Sequence, residues 1–326
     1  MDLRELFINH VGRLRSGWRL LTFAFLYFLV FFVLTTGARV FYAIAVRVAP
    51  TRGINDFLQN IIYRCVVLAT ALIAGYVCAR WLEGLPWRSL GLWFHARWLR
   101  HFLVGSAIGV ASLALATGIA AAGGGLRFNV SGRDVLFGVL QTLILTAALF
   151  IVAALAEEAM FRGYPLQTMA RANLVAVGVI ITSVWFASGH MLNPNFRYGL
   201  PVINLILAGV WFSIAFLRAR SLWFPLGIHW AWNWALGSIF GLPISGLDRI
   251  APHPLMKGID LGPAWLTGGG FGIEGGVAGT IAIVVSTVII WRVQLVSPTE
   301  EMIRLTSQEN PIQKDTIHEI TRNGTK

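Results

Sequence analysis

Residues 135–163 read VLFGVLQTLILTAALFIVAALAEEAMFRG and decide the fold of this chain. Their first 22 residues, 135–156, carry no charge, and roughly 20 mostly apolar residues in a helix cross about 30 Å of hydrocarbon. The stretch ends on Glu157, Glu158 and Arg162, three ionisable groups in six residues. Each charge near a bilayer centre costs roughly 2.5–3.5 kcal/mol, so such groups usually face a wet cavity and mark function. The stretch therefore predicts a membrane helix with a functional end.

The composition extends this interpretation to all 326 residues, of which 56% are apolar and only 13% are charged. A mean hydropathy of +0.68 does not fit a soluble globule. The sequence therefore predicts an all-α polytopic membrane bundle of about eight transmembrane helices. The predicted spans are 18–46, 58–81, 101–122, 135–160, 174–190, 200–217, 221–240 and 275–293.

These spans divide the chain into four parts. Residues 1–134 form an N-terminal three-span region, and residues 135–245 form the membrane core that carries the polar motifs. Residues 246–296 comprise an outer loop and the last span, and residues 297–326 form a polar cytoplasmic tail, predicted to be disordered or loosely bound to the surface. The segment 241–276 is rich in Gly and Pro without a helical period, which predicts a loop.

The net charge of +11 comes from basic residues scattered between apolar runs, which favours lipid headgroups over nucleic acid as partners. With the amino terminus in the cytoplasm, 17 Lys and Arg residues lie inside, seven lie outside, and Arg39 and Arg64 fall within spans. Basic residues concentrate in cytoplasmic loops. The distribution therefore predicts that both termini are cytoplasmic.

Three polar motifs lie in order on separate predicted spans. They are Glu157-Glu158 with Arg162, Phe186 with His190, and His229 with Asn233. The four-residue spacing of Glu158 and Arg162, with the acid first, predicts an ion pair. Glu157 is rotated by about 100° and keeps its carboxylate for another role. Each motif alone also fits a structural role: an interfacial helix end, a buried hydrogen-bonded histidine, or an asparagine in helix packing.

Together the motifs supply the groups that peptide hydrolysis needs. A carboxylate accepts a proton from water, and an imidazole positions that water or protonates the leaving amine. His and Asn donors stabilise an oxyanion. The zinc-protease pattern His-Glu-x-x-His is absent, because His318-Glu319 is followed by Arg322. The pattern Gly-x-Ser-x-Gly is absent too, which disfavours a serine hydrolase.

With these motifs in order, the sequence resembles the CAAX protease and bacteriocin-processing family of intramembrane endopeptidases, the type II CAAX prenyl endopeptidase-like proteins. Their signatures are Glu-Glu-x-x-x-Arg, Phe-x-x-x-His and His-x-x-x-Asn. The resemblance covers about residues 135–245, and the segments 88–92, 192–194 and 265–269 look like bacterial members. It implies an eight-span protease of the bacterial cytoplasmic membrane with a membrane-associated peptide or protein substrate. It does not identify that substrate.

The resemblance also implies a role for every motif residue. Glu157 and His190 activate water, while His229 and Asn233 bind the oxyanion. The supporting residues are Glu158, Arg162 and Phe186. No cofactor is required by this assignment, but a divalent metal such as zinc on Glu157, His190 and His229 stays an alternative. A metal-free mechanism is favoured.

Two non-enzymatic functions stay open at this stage. A membrane scaffold would bind peptides in the same cavity without cleaving them. A proton-coupled transporter would use intramembrane Glu and His residues, and it predicts inverted repeats, of which the sequence shows none.

One geometric constraint follows from the spans. With a tight turn near Pro165 and straight helices, Glu157 would lie about 12 Å from the turn and His190 about 36 Å from it. The two side chains could not meet. We therefore predict that residues 164–173 stay out of the membrane and that the fifth span is short or tilted.

Overall fold

The computed structural model describes residues 3–9, 12–48, 55–132, 135–248 and 250–307. The helices of this part of the chain are α1 (Leu3–Phe7), α2 (Ser16–Val48), α3 (Asn55–Leu82), α4 (Trp98–Ala122), α5 (Leu136–Glu158), α6 (Pro165–Arg171), α7 (Val175–Ser188), α8 (Leu200–Ala219), α9 (Trp223–Trp234), α10 (Ala264–Thr267), α11 (Val277–Arg292) and α12 (Glu300–Ser307). The strands are β1 (Leu126–Val130) and β2 (Met256–Asp260).

Every predicted span coincides with one helix, in the order α2, α3, α4, α5, α7, α8, α9 and α11. Five helical stretches are long and apolar enough to cross a membrane, and α7 and α11 are shorter apolar helices. Large apolar side chains point outward, such as Phe25, Phe32 and Phe41, which are 68%, 69% and 74% exposed. Such a surface suits lipid as the solvent. The predicted all-α membrane bundle is confirmed.

The helix that begins at Leu136 continues well beyond the paired glutamates. A π-helical turn, Ala159–Gly163, follows α5, and α6 then starts at Pro165, where a missing N–H is tolerated. The stretch Leu136–Arg171 is therefore one helical segment of 36 residues, with a π-helical turn inside it. The chain reverses only at residues 172–174, with Asn173 in the left-handed region at φ 61°. A tight turn near Pro165, the arrangement that would keep Glu157 and His190 apart, is therefore not present.

The fifth span is short, as predicted, because α7 has only 14 residues. It returns from the turn at 172–174 and packs against α6 and α8. Whether α6 lies outside the hydrocarbon region stays a prediction.

The segment 241–276, predicted to be a loop, contains regular structure. Its strand β2 pairs with β1 in an antiparallel ladder from Leu126 opposite Asp260 to Val130 opposite Met256. The short helix α10 follows. Each strand has only five residues. So short an alternation of apolar and polar residues is hard to recognise in a sequence dominated by apolar spans. The ladder ties the exit of α4 to the segment that precedes α11.

The start of the predicted polar tail is ordered. Helix α12 buries Met302 completely, and the carboxylate of Glu301 lies 3.0 Å from Arg88 Nη1. Residues 297–307 are therefore docked on the bundle, and the predicted disorder is wrong there. The rest of this tail, residues 308–326, lies outside the described residues. So do Arg52, Arg133 and Arg249, three of the basic residues counted for the topology prediction.

Close helix packing positions α9, which carries His229. A Cβ on Gly227 would overlap the carbonyl oxygen of Phe102 in α4. Cβ atoms on Gly105 and Gly109 would overlap carbonyl oxygens of α9 in the same way. Small residues at such positions let membrane helices approach backbone to backbone. The contact between α4 and α9 therefore depends on glycine at all three positions.

A buried charge cluster fastens the end of the bundle near the start of α2. Glu83 Oε1 lies 2.8 Å from Arg19 Nη1, and Glu83 Oε2 lies 2.7 Å from Arg171 Nη2, with all three side chains no more than 2% exposed. Burial by itself raises the pKa of Glu83, but the Arg171 and Arg19 guanidiniums outweigh it and hold that pKa below its usual range. The pairing therefore stabilises the fold above the ordinary glutamate pKa, and this contribution is lost as the pH falls through the lowered pKa.

Replacing Gly227 with Ala should force α4 and α9 apart. Overpacking of this kind typically costs about 1–3 kcal/mol, so we expect a clearly lower midpoint of thermal unfolding for the purified protein in detergent. Gly118→Ala in α4 is the matched control, because nothing lies within 4 Å of a Cβ at that position. Equal midpoints for the two variants would contradict the packing argument.

Candidate active site

The predicted ion pair of Glu158 and Arg162 is present at the end of α5. Arg162 Nη1 lies 3.2 Å from Glu158 Oε1, and both side chains are 0% exposed. Arg162 Nη2 donates to the carbonyl oxygen of Gly209 at 2.9 Å, and its guanidinium lies 5.1 Å and 5.3 Å from the rings of Phe186 and Phe212. Removing one partner of such a buried pair costs roughly 3–5 kcal/mol. The pair is therefore a structural anchor between α5, α7 and α8.

His229 of α9 lies between the two adjacent glutamates. Its Nδ1 is 2.9 Å from Glu158 Oε1, and its Nε2 is 3.8 Å from Glu157 Oε2. The imidazole stacks on the Phe212 ring, with centroids 4.5 Å apart and planes 15° apart. Because an ionised carboxylate only accepts hydrogen bonds, Nδ1 must carry a proton. Glu158 thus fixes the imidazole so that Nε2 points toward Glu157.

Glu157 has the more open environment of the two glutamates. Its side chain is 17% exposed, and its Oε1 lies 3.6 Å from Arg64 Nη1 of α3. Its Oε2 has no hydrogen-bond partner among the described residues. Separations of 3.6 Å and 3.8 Å are longer than direct hydrogen bonds, so both contacts are loose electrostatic contacts. The cation beside this carboxylate, Arg64, comes from α3 and not from the helix of Glu157.

His190 follows the last turn of α7 and is half-buried. Its Nδ1 lies 2.9 Å from the carbonyl oxygen of Phe186, so Nδ1 is the donor and Nε2 is left as an acceptor. The Phe186 ring lies 4.8 Å from the imidazole and 6.0 Å from that of His229. Phe186 therefore orients His190 through both its ring and its backbone.

A small internal cavity brings three of the four predicted catalytic residues together. Its volume is about 30 Å³, and His190, His229 and Asn233 line it. A polar cavity above about 10–15 Å³ accommodates a water molecule. Glu157 does not line this cavity, and no ion pair within 4.0 Å joins it to His190 among the described residues. His229 is the residue that connects Glu157 to the cavity.

A wide groove between α3 and α5 leads toward Glu157. Its volume is about 820 Å³, and its wall includes Arg64, Gln141 and Phe150. The loop residues 246–248 line the same groove. The side chains are a mixture of apolar and polar groups, which suits a peptide whose backbone needs hydrogen-bond partners inside a membrane.

Glu274 is a cavity residue that the sequence analysis missed. It lies in the turn before α11 and lines the same cavity as His190. Its Oε1 accepts a hydrogen bond from Trp232 Nε1 at 2.9 Å, and its Oε2 accepts from the backbone N and the Oγ of Ser245 at 2.6 Å and 2.7 Å. Asn193 Nδ2 in turn donates to the carbonyl oxygen of Ser245 at 3.0 Å. This network joins α9 to the loop after His190.

The sequence held only weak signals for Arg64 and Glu274. Arg64 is a cation in the interior of an apolar span, and Glu274 is a lone acid between glycine residues before the last span. An isolated charge in an apolar run is itself a reason to expect function. Its partner, however, comes from another helix and has no fixed spacing in sequence.

The residues named for the metal alternative do not make a metal site. Among the described residues, no group of three or more His, Cys, Asp or Glu side chains is arranged to hold a metal ion. Glu157 approaches His229 but no second imidazole within 4.0 Å.

The sequence of this region is also similar to a known protein family. The sequence model of the Rce1-like type II CAAX prenyl endopeptidases matches residues 138–235. Neither the curated proteins nor the solved structures gave a match. The matched segment contains all seven motif residues, from Glu157 to Asn233. The similarity of this membrane core to the Rce1-like type II CAAX prenyl endopeptidase family, first indicated by the three motifs, is thereby confirmed.

Proposed function

We propose that this protein is an intramembrane endopeptidase that hydrolyses peptide bonds of membrane-associated substrates with a water molecule activated by Glu157. The observation that carries the proposal is the position of His229. It touches both glutamates, lines the small cavity with His190 and Asn233, and lies within the segment that matches the protease family. Two imidazoles and an amide thus share one small cavity, and His229 links it to the carboxylate of Glu157.

In the proposed mechanism, Glu157 is the general base. Its partly exposed carboxylate accepts a proton from a water molecule, and the resulting hydroxide attacks the substrate carbonyl carbon. His190 presents Nε2 to the cavity and positions that water. The proton taken by Glu157 then passes to the leaving amine, so that the glutamate returns to its ionised form.

His229 and Asn233 are proposed to stabilise the oxyanion. For this role His229 must carry protons on both nitrogens, with Nδ1 donating to Glu158 and Nε2 donating to the developing charge. The Asn233 amide supplies a second donor from the next turn of α9. Donors held in place before the reaction act without reorganisation, which is the main source of oxyanion stabilisation. Glu158 and Arg162 provide that fixed support.

The groove between α3 and α5 is the proposed binding place of the substrate segment. Arg64 lies in its wall and reaches Glu157, so a bound peptide backbone would meet the catalytic carboxylate there. The name of the matched family refers to prenylated CAAX proteins. In a bacterial membrane we expect other membrane-anchored peptides in that role.

The Glu157→Gln variant should separate chemistry from folding. Glutamine keeps the shape of the side chain but accepts no proton, and loss of a general base typically costs about 10²–10⁴ in rate. We expect normal yield and peptide binding with at least a hundredfold slower cleavage of membrane-anchored peptides in liposomes. Glu158→Gln is the matched control and should lower yield and activity together, because it breaks the buried pair with Arg162.

Wild-type cleavage rates for Glu157→Gln would refute the assignment of the base. A chelator added to the wild-type protein should leave the rate unchanged, and loss of activity that zinc restores would contradict the metal-free mechanism. Binding of the same peptides without any cleavage by the wild-type protein would favour a scaffold. Ion or proton flux that depends on Glu157 would favour a transporter.

Glu274 is proposed to position the cavity wall rather than to react. Ser245 adopts a left-handed φ of 45°, which is unfavourable for a side-chain-bearing residue, and Glu274 accepts both of its donors. In Glu274→Gln a single oxygen remains, so the side chain cannot accept from Ser245 and from Trp232 Nε1 at the same time. A misplacement of about 1 Å can cost up to about 100-fold in rate. We expect a lower kcat with an unchanged KM.

Tryptophan fluorescence should report the loosened Trp232 in the Glu274→Gln variant. Ser245→Ala is the matched control, because it removes the Oγ bond and keeps the backbone bond, so its loss should be smaller. A fall in kcat that only follows the fraction of folded protein would reduce Glu274 to a purely structural residue.

The proposed location is the bacterial cytoplasmic membrane with both termini in the cytoplasm. The excess of 17 inner over seven outer basic residues supports this orientation. A reporter fused after Lys326 should read cytoplasmic, and one inserted near Lys257 in β2 should read external. The opposite pair of signals would invert the arrangement.

A further inference from the structure

A second large cavity lies away from the catalytic motifs, where the first turn of α2 meets the turn after α6. Its volume is about 750 Å³. Its lining includes Arg15, Ser16, Trp18, Leu21, Arg171 and Asn173, and we name it the amino-terminal pocket. It shares no residue with the cavity of His190 or with the groove at Arg64. Its role is therefore separate from the proposed catalysis.

The charge of the amino-terminal pocket is positive. Arg15 and Arg171 line it, and no acidic side chain does so among the described residues. Behind its wall, the carboxylate of Glu83 compensates the charge of Arg171, whereas no carboxylate lies within 4.0 Å of Arg15 among the described residues. The pocket therefore attracts an anion.

Two kinds of hydrogen-bond donor face this pocket. Helix α2 begins at Ser16, and the first N–H groups of a helix have no partner within the helix and carry partial positive charge. The Ser16 side chain is only 7% exposed and lines the cavity. Arg15 donates Nε to the carbonyl oxygen of Glu5 at 2.6 Å, and its terminal nitrogens make no other hydrogen bond among the described residues. These donors suit phosphate oxygens.

Apolar side chains continue from the pocket along the outer face of α2. Trp18 and Leu21 belong to the pocket, and Leu21, Phe25, Phe28 and Phe32 follow at helical spacing with exposures of 60%, 68%, 60% and 69%. Tryptophan is typical of the level of lipid headgroups, and such a stripe faces acyl chains. The cationic side chains and the helix N-terminus therefore lie where a phospholipid has its phosphate, and the apolar stripe lies where it has its acyl chains.

We propose that the amino-terminal pocket binds the headgroup of an anionic phospholipid, whose acyl chain lies along the stripe from Leu21 to Phe32. A free phosphate ion shares the headgroup chemistry, but it would fill a small part of a cavity of about 750 Å³ and would not use the stripe. A zwitterionic headgroup would place its ammonium group beside two arginines. An anionic lipid therefore fits the pocket better than a free phosphate ion or a zwitterionic lipid does.

The test is lipid binding to the purified full-length protein in nonionic detergent, measured by native mass spectrometry and by thermal unfolding. Phosphatidylglycerol should bind tightly and raise the unfolding midpoint, and phosphatidylcholine of the same chain length should do neither. Arg15→Gln should weaken phosphatidylglycerol binding about fivefold, the value of about 1 kcal/mol for one basic residue near a membrane surface. Asn173→Gly should weaken it too, while keeping the left-handed backbone.

Arg100→Gln is the matched control, because it removes an exposed arginine near the start of α4, outside the pocket. This variant should bind phosphatidylglycerol like the wild type. Equal binding of the two lipids, or equal effects of Arg15→Gln and Arg100→Gln, would overturn the proposal. Stabilisation by inorganic phosphate alone, at the same level as by lipid, would show a free-anion site instead. None of these outcomes depends on the proposed protease activity.

Discussion

The buried carboxylate of Glu158 is the interaction on which the motif-bearing core depends. One oxygen accepts from Arg162 at 3.2 Å and from His229 at 2.9 Å, and so joins the end of α5 to α9. Arg162 extends the connection to α8 through the carbonyl of Gly209. A charge in this position is tolerable only while both partners stay in place. The same carboxylate oxygen therefore binds Arg162 and fixes the orientation of His229.

The contrast between the adjacent glutamates follows from a single helical step. Glu158 points inward and is fully enclosed, whereas Glu157 keeps 17% of its side chain exposed and has only long contacts, with Arg64 and His229. A structural acid and the general base proposed for Glu157 need these opposite surroundings. The α-helix provides them without any additional residue, because neighbours in sequence face about 100° apart.

Run length and spacing predicted the local features of this molecule. Eight apolar runs became eight helices, and the four-residue spacing of Glu158 and Arg162 became an ion pair, because both features depend on one helix alone. Arg64 beside Glu157 and Ser245 on Glu274 join segments far apart in the chain, and no periodicity encodes such contacts. The sequence also did not predict that the helix continues past Glu158 through a π-helical turn and Pro165. Proline more often ends a helix than continues one.

The continuous helical stretch Leu136–Arg171 connects the candidate active site with the amino-terminal pocket. Glu158 and Arg171 lie on one stretch, Leu136–Arg171, thirteen residues or about 20 Å apart. One end is held by His229, and the other by Glu83 with Arg19 of α2. The wall of the amino-terminal pocket and the residues that support His229, a proposed oxyanion donor, are therefore parts of the same helical stretch. An interaction that fixes the position of Arg171 restricts where Glu157 and Glu158 can lie.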